Sequence, residues 1–330
     1  MITGGTGFLG SYIARYLVCE QQRDDVVIFD RGPDPDRIAD IADRVTVVQG
    51  DVQEPADLIA AMQAHDVDRI VHMAFIAGIE EPGRALPYLR FQTMATATVF
   101  DCARLLGIKR VVNASSHAVY THRDDGRAVT EDEPLRPSGG LYGACKQWTE
   151  HVADNYNQRY GMEIVSLRLQ SAYGIGRVDR ARTWTGGLLN TSGWKQPNYR
   201  ANAELVALGH AVIMPPDAQI DDFLHAADTG QACWLAASAP MPDHAVFNVG
   251  NEHRPIGDYT RILRDLLPDA DVTVSDQVRT SLTLLDSTRI RKQLGFAPQY
   301  TLEAGLAEYV GEVQRRQSKA ASPAGAGQAP

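Results

Sequence analysis

Tyr142 and Lys146, in the stretch YGACK, stand four residues apart, so a helix carries both on one face. The pair suits proton removal from an alcohol. A phenol titrates near pH ~10 and is a weak base at neutral pH. An ammonium group beside it stabilises the phenolate and lowers that value. Ser116, in NASSHAVY, lies 26 residues earlier. At the carboxyl end of a strand, its hydroxyl would hydrogen-bond a substrate oxygen and hold it in line. A third feature opens the chain: in MITGGTGFLG, Gly4, Gly7 and Gly10 recur every third residue. Gly4 lets the chain leave a strand sharply. Gly7 lets backbone N–H groups approach a pyrophosphate, and Gly10 lets the next helix pack close to the sheet. The helix start offers phosphates unpaired N–H groups and a positive dipole end.

Two carboxylates extend this pattern. Asp30 follows Gly10 by 20 residues and suits a ribose 2′-hydroxyl; it would repel a 2′-phosphate, which favours NAD over NADP. Arg31, directly after it, has the opposite bias and is placed to accept such a phosphate. Asp51, in GDVQEPADL, reads either as the acceptor for an adenine amino group or as part of a helix N-cap region. With NAD in place the chemistry closes: a tyrosinate takes the hydroxyl proton while the nicotinamide takes hydride from the same carbon.

Such groups need a scaffold, and the chain supplies one. The runs DVVIFD (25–30), RVTVVQ (44–49), DRIVHMA (68–74), KRVVNAS (109–115) and MEIVSLRL (162–169) are near-continuously apolar. That texture fits parallel strands covered on both faces. Helical stretches near 8–19, 55–65, 86–106 and 141–160 alternate with them. The alternation predicts an α/β, doubly wound parallel-sheet Rossmann fold. Residues 1–174 read as the NAD-binding domain. Residues 175–316 read mainly as a smaller substrate-binding lobe, with some segments returning to the sheet. Within them, HAVFNVG (244–250) reads as a strand and TLEAGLAEYVGEVQRR (301–316) as a helix, while 317–330 read as a disordered tail. Only Met1, Ile2 and Thr3 precede the glycine turn. The expectation is a late start or a stub of a first strand, each absent buried side chain forgoing roughly 1.5–3 kcal/mol.

Composition excludes several classes. At 330 residues and 44% hydrophobic content the chain can bury a sizeable core. Net charge is −9, with 32 basic against 41 acidic residues and no basic run, which argues against nucleic-acid and anionic-membrane surfaces. Cys19, Cys102, Cys145 and Cys233 show no CxxC spacing and fall in helical stretches, which predicts buried free thiols and no metal site. With neither an apolar span nor a signal-peptide pattern, the reading is a cytoplasmic protein acting on a small molecule.

Taken in order, TGGTGFLG, GDV, HMA, SSHAVY, YGACK and LRLQSAYGIG resemble the extended short-chain dehydrogenases, the NAD-dependent epimerase/dehydratase family. DDFLHAAD, FNVGN and LDSTRIRKQLGFAP extend the resemblance to about residue 316. It implies an enzyme with Ser116, Tyr142 and Lys146 as its catalytic set. It also implies a cofactor site of Gly4, Gly7, Phe8, Leu9, Gly10, Asp30, Arg31, Asp51, Val52, Ala74 and Lys146, and a homodimer packed through the helices near 88–106 and 142–160. Departures bear on substrate. Sugar-nucleotide dehydratases of the family carry Asp-Glu where this chain has His117-Ala118, which argues against 4,6-dehydration. Epimerases usually carry Asn at Ser171, and a diphosphate-gripping Arg at Asp221. An aspartate facing a diphosphate would repel it, with Arg177, Arg180, Arg182 and Arg200 available as replacement charge. His117, Ser171 and Arg177 are the candidate substrate contacts. The favoured reading is an NAD-dependent oxidoreductase removing hydride from a secondary alcohol of a sugar, sugar acid or similar polar metabolite. The alternatives are a nucleotide-sugar 4-epimerase and a catalytically idle NAD-binding protein.

Overall fold

The computed structural model describes residues 1–76, 85–121, 123, 125–136, 140–177, 199–276 and 283–321. In chain order the strands are β1 (Ile2–Thr3), β2 (Val26–Asp30), β3 (Val45–Gln49), β4 (Arg69–His72), β5 (Arg110–Ser116) and β6 (Glu163–Leu169), then β7 (Ala172–Tyr173), β8 (Val212–Met214), β9 (Ile220–His225), β10 (Val246–Val249), β11 (Glu252–Pro255) and β12 (Val272–Val274). The helices are α1 (Phe8–Arg15), α2 (Pro55–Ala64), α3 (Ala85–Arg90), α4 (Thr96–Leu105) and α5 (Gly140–Tyr160). They continue with α6 (Asn202–Ala207), α7 (Ala226–Ser238), α8 (Ile256–Leu266), α9 (Thr288–Leu294) and α10 (Leu302–Ala321). A π-helical turn (Tyr16–Glu20) prolongs α1, and another (Phe91–Ala95) joins α3 to α4.

Seven parallel strands form the main sheet in the order β10-β6-β5-β4-β1-β2-β3. Strand order reverses between β1 and β4, and that crevice is where a doubly wound sheet receives its ligand. The two-residue β1 is central: Ile2 pairs with Ile28 on one side and Val71 on the other. Ile2 is buried, and the Met1 amine donates to the Arg69 carbonyl at 2.8 Å. One strand departs from the two-face burial expected of it. β3 lies at the sheet edge, and its Val47 is 41% exposed, because among the described residues no further strand pairs with that margin.

From β7 onward a three-stranded sheet (β11-β9-β7) and a two-stranded sheet (β12-β8) build the smaller part, while β10 returns to the main sheet. One hydrophobic cluster joins Ile13, Leu167, Phe223, Tyr259 and Leu306, so the two parts share a core. Two expectations are adjusted. α10 runs on to Ala321, past residue 316, because neither glycine nor proline stands between residue 316 and Pro323. Residues 322–330, like Arg180, Arg182 and most of TWTGGLLNTSGWKQPNY, lie outside the described residues. Cys102, Cys145 and Cys233 are buried free thiols, whereas Cys19 is exposed on the π-turn after α1.

Candidate active site

The glycine turn follows β1 at the crevice. Gly4 has φ +66°, and a Cβ there would stand 2.8 Å from the Ala74 Cα, so turn and post-β4 segment touch backbone to backbone. A Cβ on Gly10 would lie 2.2 Å from the Gly4 carbonyl oxygen. What Gly10 permits is therefore packing of α1 on the turn itself, not on the sheet. Gly7 caps α1, leaving the first-turn amides, Phe8 and Leu9 among them, without intrahelical acceptors. Asp30 closes the far side: its carboxylate accepts from the Thr6 hydroxyl at 2.7 Å and from the Thr6 and Gly32 amides at 3.2 Å each. Asp51 accepts from the Gln53 amide at 2.9 Å; it does not cap α2, whose N-cap is Glu54. Arg31 leans on this end, 3.7 Å from the Asp51 carboxylate and 5.9 Å from the Phe91 ring centre, and Val52 is buried beneath. A cradle free of side chains, an open helix start and a carboxylate at the end of β2 fit the two phosphates and a ribose of NAD.

Ser116 ends β5, and Tyr142 and Lys146 lie on the first turns of α5. The Ser116 Oγ accepts from the Ala118 amide at 3.2 Å. Phe75 meets the Tyr142 ring edge-on, centroids 5.5 Å apart. Lys146 is buried; its Nζ donates to the Ala114 carbonyl at 2.6 Å and stands 5.8 Å from the Tyr142 ring centre. Burial pushes the Tyr142 phenol above its usual value, while the Ser116 hydroxyl and the charge of Arg177 pull it back. The lysine was expected to do that work. Its ammonium lies on the same helix face as the phenol, anchored by the Ala114 carbonyl. Burial brings Lys146 down to about 8, against the raising influence of Cys145 and Glu150.

Behind these groups is a polar network that sequence reading missed. Glu150, one turn beyond Lys146, accepts from the Ser115 hydroxyl and from Arg168 of β6 at 2.7 Å. Arg168 also donates to the Tyr120 hydroxyl at 2.6 Å, which donates to Asn248 at 2.7 Å. The network ties α5 to β5, β6 and β10. Its one sequence signal is the i, i+4 spacing of Lys146 and Glu150. On β4, His72 bridges Thr3 at 2.8 Å and Thr96 at 3.1 Å, and burial lowers it to about 3, so it is neutral.

The candidate substrate contacts lie in different settings. His117 opens a short turn after Ser116 and is half-buried. Ser171 is half-buried between β6 and β7, its amide donating to the Gln170 side chain at 2.9 Å. Arg177 lies with its guanidinium 5.4 Å from the Phe8 ring centre. Asp221 requires a correction. It is fully buried, and one carboxylate oxygen takes the Tyr199 hydroxyl at 2.6 Å and the Arg200 guanidinium at 2.7 Å. The other accepts the Asp222 amide at 2.8 Å. Asp221 is thus an internal counterion, and the repulsion expected of it is cancelled by Arg200.

Fold and site together define a dinucleotide-binding α/β protein with a tyrosine–lysine helix at the switch point of its sheet. A profile of the NAD dependent epimerase/dehydratase family matches residues 1–250. The chain belongs to that family and is an NAD-dependent enzyme of the extended short-chain dehydrogenase type. Its relatives include UDP-glucose 4-epimerase of Azospirillum brasilense, 26% identical over 99% of this chain and 94% of that protein. dTDP-glucose 4,6-dehydratase of Streptomyces griseus is 25% identical over 96% of this chain and 94% of that protein. Among solved structures, UDP-glucose 4-epimerase of Thermotoga maritima, with UDP-glucose, superposes with a TM-score of 0.79 at 19% identity, covering 96% of this chain and 98% of the other. dTDP-glucose 4,6-dehydratase of Bacillus anthracis, in complex with NAD, gives 0.77 at 19% identity and covers 96% of each chain.

Proposed function

We propose that this enzyme oxidises a secondary alcohol of a sugar, sugar acid or similar polar metabolite, with Ser116, Tyr142 and Lys146 as its catalytic set. The observation that carries this reading is the placement of Ser116 at the carboxyl end of β5 and of Tyr142 and Lys146 on the first turns of α5, beside a glycine cradle that fits NAD. The amides of Phe8 and Leu9, with Asp30 and Asp51, would hold NAD, which when bound would supply the hydride acceptor. Tyr142 takes the hydroxyl proton of the substrate, and Ser116 donates to the same oxygen and aligns it. Lys146 adds a cation beneath the phenol at neutral pH and keeps α5 docked on β5 through Ala114. The secondary alcohol loses one proton and one hydride and leaves as a ketone. The buried Ala118, where dehydratases of the family carry an acid, offers no group for removing water.

A second reading, a 4-epimerase that returns the hydride to the opposite face, gains weight from Asp221. With its charge cancelled by Arg200, it is no obstacle to a diphosphate. The fate of the hydride decides. Purified enzyme is incubated with NAD and uronic acids, aldoses, aldonic acids or UDP-sugars, and NADH is followed by absorbance. Stoichiometric NADH with a free sugar or sugar acid supports net oxidation; an epimerised UDP-sugar without net NADH overturns it in favour of the second reading. A homodimer is part of the proposal. Met94 and Leu105, on the 85–105 helical stretch, and Trp148 on α5 are 56%, 59% and 39% exposed, a surface suited to packing against a second copy.

A further inference from the structure

Most arginines drawn into the interior have a carboxylate. Arg110 pairs with Glu163, Arg168 with Glu150, Arg200 with Asp221 and Arg289 with Glu131. Arg177 is the exception in the neighbourhood of the candidate catalytic tyrosine: among the described residues no carboxylate lies within ion-pairing distance of it. The carboxylates near it are already engaged. Glu204 accepts from the Gly176 amide at 3.0 Å and the Tyr309 hydroxyl at 3.1 Å, and both Asp221 oxygens are taken by Tyr199, Arg200 and Asp222. Arg177 leaves β7 on a glycine-bounded turn, its amide bonded to the Gly174 carbonyl at 3.3 Å, and its guanidinium lies over Phe8 at the mouth of the NAD cradle. Its charge acts on the Tyr142 phenol, and burial together with Arg200 brings Arg177 itself down to about 10. A cation partly removed from water with no carboxylate paired to it among the described residues favours a ligand that supplies one.

We propose that Arg177 is the receptor for an oxyanion on the sugar substrate, bound between Phe8 and Tyr142, so that the substrate is an acid rather than a neutral sugar. This rests on the oxidoreductase reading above and narrows its substrate class. The guanidinium offers a planar fork that matches a carboxylate in two parallel hydrogen bonds. Arg200 cannot share the role equally, because Asp221 already neutralises it.

The test separates the sources of such an anion, and does so without requiring turnover. Wild type, Arg177→Met and Arg177→Lys are compared for NAD affinity by titration calorimetry. Glucuronate, galacturonate, glucose, galactose and UDP-glucose are then titrated into each NADH complex. Glucuronate or galacturonate should bind the wild type at least about tenfold more tightly than glucose or galactose. Arg177→Met should abolish that preference, Arg177→Lys should restore part of it, and NAD affinity should stay within about twofold. If turnover is found, kcat/KM should fall further for the acid than for a neutral sugar, since the charge of Arg177 on Tyr142 is common to both. Equal binding of acids and neutral sugars by the wild type overturns the proposal. So does a tenfold loss of NAD affinity with sugar binding unchanged, which would assign Arg177 to the cofactor's pyrophosphate. Binding of UDP-glucose that depends on Arg177, without binding of either acid, would assign it to a nucleotide diphosphate and equally refute it. Acid binding that depends on Arg177 with no turnover of any sugar would leave the receptor standing while sinking the oxidoreductase reading.

Discussion

Glu150→Ala should cost this protein more than any surface change. The carboxylate and its partner Arg168 are each 5% exposed, and Arg168 reaches it through Nε at 3.0 and 3.2 Å and Nη2 at 2.7 Å. Truncation leaves a guanidinium buried without its counterion, a change worth about 3–5 kcal/mol. The Ser115 hydroxyl loses its acceptor as well, adding about 1 kcal/mol. With an unfolding entropy near 2.1 cal/mol/K per residue, a fold of roughly 300 residues shifts by about 1.5 °C per kcal/mol. Calorimetry should therefore record a fall of about 6–9 °C. Glu150→Met combined with Arg168→Met should recover most of it, because two apolar side chains replace a pair whose attraction does little more than offset its desolvation. Glu150 also sits one turn beyond Lys146 and holds that ammonium's proton affinity up, so the single variant should titrate Lys146 below about 8. A fall in Tm of less than about 2 °C would refute this account of the pair. A double variant no more stable than Glu150→Ala would refute the claim that the loss comes from an orphaned charge.

Three further outcomes follow from the same geometry. Lys146 holds its proton down to about 8 when folded against 10.5 when unfolded, so the unfolded chain binds more protons across that window and stability rises with pH through it. The difference in Tm between wild type and Lys146→Met, scanned from pH 8 to 10.5, should show that rise; a flat difference would contradict it. His72, brought down to about 3 against 6.5 unfolded, stays neutral in the fold, so its contribution is lost as pH falls from 6.5 towards 3. Chemical denaturation of wild type and His72→Gln across that range should show the steeper acid loss in the wild type, and parallel curves would dismiss it. Trp148→Glu should convert a dimer to a monomer in analytical ultracentrifugation, and a monomeric wild type would rule out the proposed packing.

How far the sequence carried this picture depended on whether one segment or several had to be known. β2, β5 and β6 were legible because their apolar runs are long and nearly unbroken, and α5 because it spans nearly six turns with its chemistry at the start. β3 carries an equally apolar run but lies at an edge, a matter of strand order that its own residues do not encode. The glycine turn was readable from spacing, since steric need fixes glycine at positions 4 and 10. Asp221 was misjudged for the opposite reason. Its meaning depends on Arg200, 21 residues away, and an aspartate facing a ligand reads the same as one facing a buried arginine. Glu150 and Arg168 escaped notice likewise, because an ion pair between a helix and a strand has no local spacing.

The central claim is that Tyr142 exchanges the substrate proton while the glycine cradle separately holds NAD. Tyr142→Phe removes one hydroxyl and keeps the ring against Phe75. With the substrate found in the panel above, its kcat should fall by about 10²–10⁴ while its affinity for NAD stays within about twofold of wild type. Turnover at the wild-type rate would contradict the role given to Tyr142 and the account built on it.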